Sequence, residues 1–267
     1  MRHVASIVAV ALVLALLLSG CIERSMLYPA RYRTRPEALR LPPSARELTV
    51  LHEQGRTHAN LFLGRGVSAA DPGPVVLYAH GNGELIEQFP NGLPGYARLG
   101  LSVAVIEYRG CGRSDGSPSK ARIDADFVAF YDRIATLPEV DPERIVFHGR
   151  SLGGGIVASL SRARPPAALV LESTFSGTED FAARWRLPRF LVREKYDVTA
   201  ALRAYPGPVM IVHSPGDEVI PFEMAEKNLA ARPDAVFHRY SLGHNDPMPP
   251  RFFTDVADFL AGAGILP

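Results

Sequence analysis

The sequence predicts an α/β fold: a mostly parallel, twisted sheet of about eight strands, with helices on both faces and a small cap. Short, continuously apolar runs alternate with helical stretches, as expected when strands are covered on both faces. That alternation, repeated along the chain, implies right-handed crossovers between parallel strands. The 267 residues, 47% hydrophobic and 21% charged, suit one domain with one sizeable core.

The first twenty residues stand apart from this pattern. Arg2 and His3 give a short basic start, and Val4 to Leu18 is an apolar run broken only by Ser6. A spanning helix needs roughly 20 apolar residues, so this run fits the core of a signal peptide better. Leu18-Ser19-Gly20-Cys21 resembles the bacterial lipobox, in which the cysteine becomes the lipidated first residue of the mature chain. The expectation is a leader over 1–20, lipidation at Cys21, and a protein held at the cell envelope, facing away from the cytoplasm. An uncleaved anchor is the alternative, and it also tethers the chain to a membrane. Cys111 is the only other cysteine, so no disulfide framework is expected. A formal net charge of +1 argues against a nucleic-acid binder.

Residues 21–45 are rich in Arg and Pro without a clean period, and read as a tether to the domain at 46–267. Glu47–Glu53 and Thr57–Leu63 read as two strands joined at Gln54-Gly55. The later strands are Val75–Ala79, Leu101–Tyr108, Arg144–His148, Ala168–Glu172, Val209–His213 and Ala235–Tyr240. Helices are predicted at Ile123–Leu137, Leu152–Arg162, Phe222–Ala231 and Arg251–Ala261. In the first, Ile123, Phe127, Phe130, Ile134 and Leu137 recur at three- and four-residue steps, giving one buried stripe. Pro221 precedes the third, where a proline suits a helix start. Residues 175–204 interrupt the rhythm and are expected to form the cap.

In such sheets ligands bind at the carboxyl ends of strands, so chemistry belongs on the loops that follow them. Gly149-Arg150-Ser151-Leu152-Gly153 lies between a strand and a helix, the context of a G-x-S-x-G elbow. A strained turn there lifts the Ser151 hydroxyl clear of the sheet, and the N–H of Leu152 points to where an oxyanion would form. A serine hydroxyl is a weak nucleophile and needs a base oriented by an acid. Downstream, Asp217 lies in Ser214-Pro215-Gly216-Asp217-Glu218 and His244 in Leu242-Gly243-His244-Asn245-Asp246, each after a strand. Asp217 is the expected acid and His244 the expected base. Glu218 and Asp246 are weaker rivals for the acid; of His80, His148, His213 and His238, on or beside strands, none fits the chain order with a following loop. His80-Gly81-Asn82-Gly83 follows Val75–Ala79 and offers the second oxyanion donor, from the N–H of Gly81 or, preferably, Asn82.

The segments HGNG (80–83), YRGCGRSDGSPS (108–119), GRSLGG (149–154), SPGDEVIP (214–221) and GH (243–244) resemble the alpha/beta hydrolase superfamily. They are similar above all to small-capped serine hydrolases near the acyl-protein thioesterases, monoacylglycerol lipases and prolyl-oligopeptidase-like peptidases. The resemblance spans about residues 45–262 and implies a Ser151/Asp217/His244 triad with no metal and no organic cofactor. It implies an acyl ester or thioester substrate, small or lipidic. A peptidase or amidase using the same triad, or a non-catalytic binding protein on this scaffold, are the alternatives. Arg109, in the second motif, is left open between an ion-pair role and a substrate contact. The Arg-rich stretch 184–193 of the cap reads either as a solvated amphipathic surface or as one that meets anionic lipid.

Overall fold

The computed structural model describes residues 20–32, 45–184, 186 and 188–267. Residues 1–19 of the expected leader and 33–44 of the expected tether lie outside the described residues.

Eight strands form one sheet in the order β1-β2-β4-β3-β5-β6-β7-β8. The strands β1 (Ala45–His52) and β2 (Gly55–Phe62) make an antiparallel hairpin, and β2 pairs antiparallel with β4 (Ser102–Ile106). The remaining strands, β3 (Gly73–Ala79), β5 (Val140–Arg150), β6 (Ala168–Glu172), β7 (Val209–His213) and β8 (Val236–Arg239), continue in parallel. From β3 the chain first moves to β4 on one side and then to β5 on the other. The carboxyl ends of β3 and β5 therefore flank the point where the winding reverses, the place where such sheets open a crevice.

Along β3, Val75, Leu77 and Ala79 face one hydrophobic layer while Val76 and Tyr78 face the other. Every residue of β3 is buried, which is why its sequence is continuously apolar rather than alternating. One layer packs the helix Lys120–Ile134 through Ile123, Phe127, Phe130 and Ile134, the stripe read from the sequence. The opposite layer packs Phe252, Val256 and Leu260 of the helix Arg251–Gly262.

Two boundaries differ from expectation. The stretch 175–204 is only partly an insertion, because Val198–Ala204 is the ordinary crossover helix between β6 and β7. It buries Val198, Ala201 and Leu202 at helical spacing, beside the helix Leu152–Ala163. The insertion proper holds a short helix, Thr178–Arg184, and a 3-10 turn, Arg189–Leu191.

The expected tether also needs correction at its start. Residues 20–27 are helical, and Pro29–Tyr32 forms a 3-10 turn. Tyr28 and Ala30 enter the core at 0% and 1% exposure. The Tyr28 hydroxyl lies 3.0 Å from that of Tyr196, and Arg24 donates to Glu194 at 2.7 Å. Burying one large aromatic side chain stabilises by about 1.5–3 kcal/mol, enough to dock a short segment that composition alone reads as linker.

Candidate active site

The first β-to-helix junction to consider joins β5 to the helix Leu152–Ala163 through the single residue Ser151. Its backbone sits at φ 53°, ψ −116°, a conformation that costs a non-glycine residue about 1–3 kcal/mol. The turn is that sharp because its neighbours have no side chains. A Cβ on Gly149 would lie 2.3 Å from the Gly153 carbonyl oxygen, and one on Gly153 only 1.9 Å from that of Ala79. The turn is held by three hydrogen bonds. Ser151 N–H donates to Glu172 O at 2.9 Å, Gly154 N–H to Ser151 O at 3.0 Å, and Thr174 Oγ1 to Ser151 O at 2.7 Å.

The loops after β7 and β8 bring the two other predicted residues to this point. His244 Nε2 is 3.1 Å from Ser151 Oγ, and His244 Nδ1–H donates to Asp217 Oδ2 at 2.8 Å. Ser151, Asp217 and His244 are 8%, 8% and 7% exposed, so their interactions act in a poorly screened environment. Burial works against ionised Asp217, but the His244 hydrogen bond and the amides of Ile220 and Val219 outweigh it, at 2.7 and 2.9 Å. Its carboxyl is held below the ordinary aspartate value.

The rival carboxylates have other work. Glu218 accepts the N–H of His244 at 3.0 Å, and Asp246 accepts that of Gly243 at 2.7 Å. Ser214 Oγ accepts the N–H groups of both Gly216 and Leu242, at 3.0 and 2.9 Å, joining the acid loop to the histidine loop.

The rival histidines are engaged elsewhere as well. Tyr96 donates to His148 Nδ1, and His148 Nε2–H donates to Glu172, both at 3.0 Å. His213, which precedes Asp217 in the chain, donates to Ile220 O at 2.9 Å and lies 3.6 Å from Asp217 Oδ2, and burial pushes its imidazole toward the neutral form. His238 lies 3.4 Å from Asp255.

The loop after β3 lies across the crevice. Both ring nitrogens of His80 face oxygen acceptors, Gly81 O at 2.9 Å and Glu107 Oε1 at 3.0 Å. Burial opposes charge on His80, but Glu107 beside it raises its pKa above the ordinary value. This buried pair anchors the loop. Gly81 is corrected here as an oxyanion donor: its N–H already donates to Glu84 Oε2 at 2.5 Å. Asn82 sits exposed at the turn, with its side chain donating to Met26 O at 3.2 Å.

Arg150, the variable position of the elbow motif, went unrecognised in the sequence. Its guanidinium donates to Glu84 Oε1 at 2.9 Å and to His244 O at 2.7 Å, and lies 3.2 Å from Glu172 Oε1. One side chain thus joins the serine turn, the loop after β3 and the histidine loop. The only sequence signal was a cation inside the motif, which does not say which oxygens it meets. Arg109 resolves to the ion-pair role: buried, it pairs with Asp126 and with Glu53 at 2.7 Å. Cys111 is buried, and burial raises its thiol pKa, leaving little thiolate. Among the described residues, no group of three or more His, Cys, Asp or Glu side chains is arranged to hold a metal ion.

Comparison with known proteins bears on this arrangement. Residues 74–204 match the family model described as alpha/beta hydrolase fold. An uncharacterized protein of Mycobacterium tuberculosis (strain H37Rv) is 30% identical over 251 residues, spanning 88% of this chain and 87% of that one. Lysophosphatidylserine lipase ABHD12 of Danio rerio is 31% identical over 187 residues, covering 60% of this chain and 48% of that protein. The propionate-bound esterase Est2 of Thermogutta terrifontis superposes with a TM-score of 0.65 at 21% identity, over 84% of this chain and 96% of that one. At that identity the likeness is one of fold.

Proposed function

The chain belongs to the alpha/beta hydrolase superfamily, and from that premise we propose that it is a serine hydrolase cleaving acyl ester or thioester bonds through an acyl-enzyme. The observation that carries this reading is the continuous chain from Asp217 Oδ2 through His244 to Ser151 Oγ, at 2.8 and 3.1 Å.

His244, its Nδ1 proton held on Asp217, presents a bare Nε2 to the serine hydroxyl. As Ser151 Oγ attacks the acyl carbon, the hydroxyl proton passes to Nε2, and Asp217 stabilises the imidazolium that forms. The carbonyl oxygen becomes an oxyanion, received by the N–H groups of Leu152 and Asn82. Leu152 is the first residue of its helix, and the first four helical N–H groups lack intrahelical acceptors. The imidazolium then gives its proton to the departing alcohol or thiol. A water molecule, deprotonated by the same nitrogen, releases the acid and restores Ser151. Removing one oxyanion donor in such sites costs about 10²–10³ in kcat.

The zebrafish relative carries the name of a lysophosphatidylserine lipase, which supports a lipidic acyl ester as the substrate class here. We propose further that the chain is tethered at the cell envelope through Cys21, a reading supported by the lipobox-like Leu18-Ser19-Gly20-Cys21; Cys21 is exposed in the described helix. The test is turnover of p-nitrophenyl esters of increasing acyl length against peptide anilides. Ester turnover lost in Ser151→Ala supports the reading. Turnover of anilides in preference to every ester would replace it with an amidase.

A further inference from the structure

Residues 20–27 and the Arg-rich insertion form one continuous surface. Gly20 abuts the Arg193 stem, where an added Cβ would come within 3.1 Å of Cδ. Glu23 accepts the backbone N–H groups of Arg193 and Glu194 at 2.9 and 3.1 Å. This contact presents apolar side chains to solvent instead of covering them. Ile22 and Met26, four residues apart on one helical face, are 58% and 61% exposed, and Phe190 of the insertion is 71% exposed. These are among the most exposed large apolar side chains of the described residues.

Charge selects the occupant. Residues 184–195 carry five basic side chains against one acid, Glu194, which is buried and accepts from Arg24. Glu179 pairs with Lys195 and Asp180 with Arg189, and the exposed Arg184 and Arg186 add to the positive charge of this stretch. The apolar run Val4–Leu18 ends two residues before Gly20. The described chain thus begins at Gly20 on this surface, with Cys21, the proposed lipidation site, exposed next to it. Exposed apolar side chains ringed by arginine, at the point where the chain turns apolar, match the boundary of an anionic bilayer.

We propose that the face made by residues 20–27 and the described residues of 184–195 docks onto an anionic lipid bilayer. The face is adjacent to the proposed active site, because Met26 O accepts from the Asn82 side chain at 3.2 Å. It follows, on the serine hydrolase reading, that the acyl substrate is a lipid drawn from that bilayer, with the oxyanion loop resting on the membrane-facing helix.

The chain's single tryptophan, Trp185, lies in sequence between Arg184 and Arg186 and serves as the emission probe. The experiment reconstitutes the full chain in phosphatidylcholine vesicles with or without phosphatidylglycerol, the acyl chains carrying bromine as a quencher. The expected result is stronger quenching of Trp185 emission in the phosphatidylglycerol vesicles than in phosphatidylcholine alone. Each arginine at an anionic surface contributes on the order of fivefold in partitioning, so Arg184→Glu with Arg186→Glu should abolish the difference. Phe190→Ser should reduce quenching while leaving the charge intact. Hydrolysis of a soluble short-chain p-nitrophenyl ester in the same samples tests the catalytic reading separately, and should be unchanged in all three substitutions. Absent quenching, or equal quenching in the charge-reversed variant, overturns the proposal. So does a concentration-dependent change in emission without vesicles, which would assign the face to a second copy of the chain.

Discussion

Arg150 donates to the carbonyl oxygen of His244 at 2.7 Å, so the residue before the serine holds the loop that carries the base. Its other partners, Glu84 and Glu172, fix the guanidinium in turn, and Glu84 also accepts the Gly81 N–H. Serine, base and oxyanion loop therefore share one cationic hub.

Arg150→Lys keeps a charge for Glu172 but loses the fork that reaches several acceptors at once. Ester turnover should fall by on the order of 10²-fold, since small displacements of a catalytic group cost that much. Thermal unfolding should change little. Arg150→Ala should instead destabilise by about 3–5 kcal/mol, because Glu172 is left buried without its cation. A Lys variant with full kcat would show that the hub does not position His244.

The strain at Ser151 gives a second prediction. Both Ser151→Ala and Ser151→Gly should lose turnover by on the order of 10⁶-fold, as removal of a triad serine does. Glycine accepts φ 53° readily, so Ser151→Gly should exceed Ser151→Ala in unfolding free energy by about 1 kcal/mol in denaturant titrations. Equal stabilities would mean that the turn is not strained.

Close backbone approach is tested by a pair of glycines. Gly153→Ala places a methyl 1.9 Å from Ala79 O, with only backbone to yield, and should cost more than about 3 kcal/mol or prevent folding. A Cβ on Gly83 meets nothing within 4 Å, and Gly83→Ala should stay within about 0.5 kcal/mol of the parent. Comparable losses in the two variants would contradict this packing.

The His80–Glu107 pair predicts a pH dependence of stability. His80 has a pKa raised in the folded chain, so its contribution is full below the unfolded histidine value, about 6.5. It is lost as pH rises through the folded value. Thermal stability should therefore decline from pH 6 upward beyond neutrality, and Glu107→Gln should flatten the decline. An unchanged slope in that variant would place the titration elsewhere.

Much of this arrangement was legible in the sequence, for a physical reason. Ser151, Asp217 and His244 each sit just past a strand, and strands buried on both faces announce themselves by unbroken apolar runs such as Val75–Ala79. The contacts that needed coordinates are those between segments distant in the chain. Tyr28 on Tyr196, Arg150 on His244 and Glu84 on the Gly81 amide have no local pattern in the sequence. The segment after Cys21 reads as a tether because one buried tyrosine gives no period. Val198–Ala204 was absorbed into the expected cap because seven residues are too few for a clear stripe.

The most direct measurement of the central claim is reaction of the folded chain with a fluorophosphonate, followed by peptide mass mapping. A single adduct on Ser151 is the predicted result, absent in Ser151→Ala and formed far more slowly in His244→Ala. No adduct on the folded protein, or one formed as quickly without the imidazole, would contradict it.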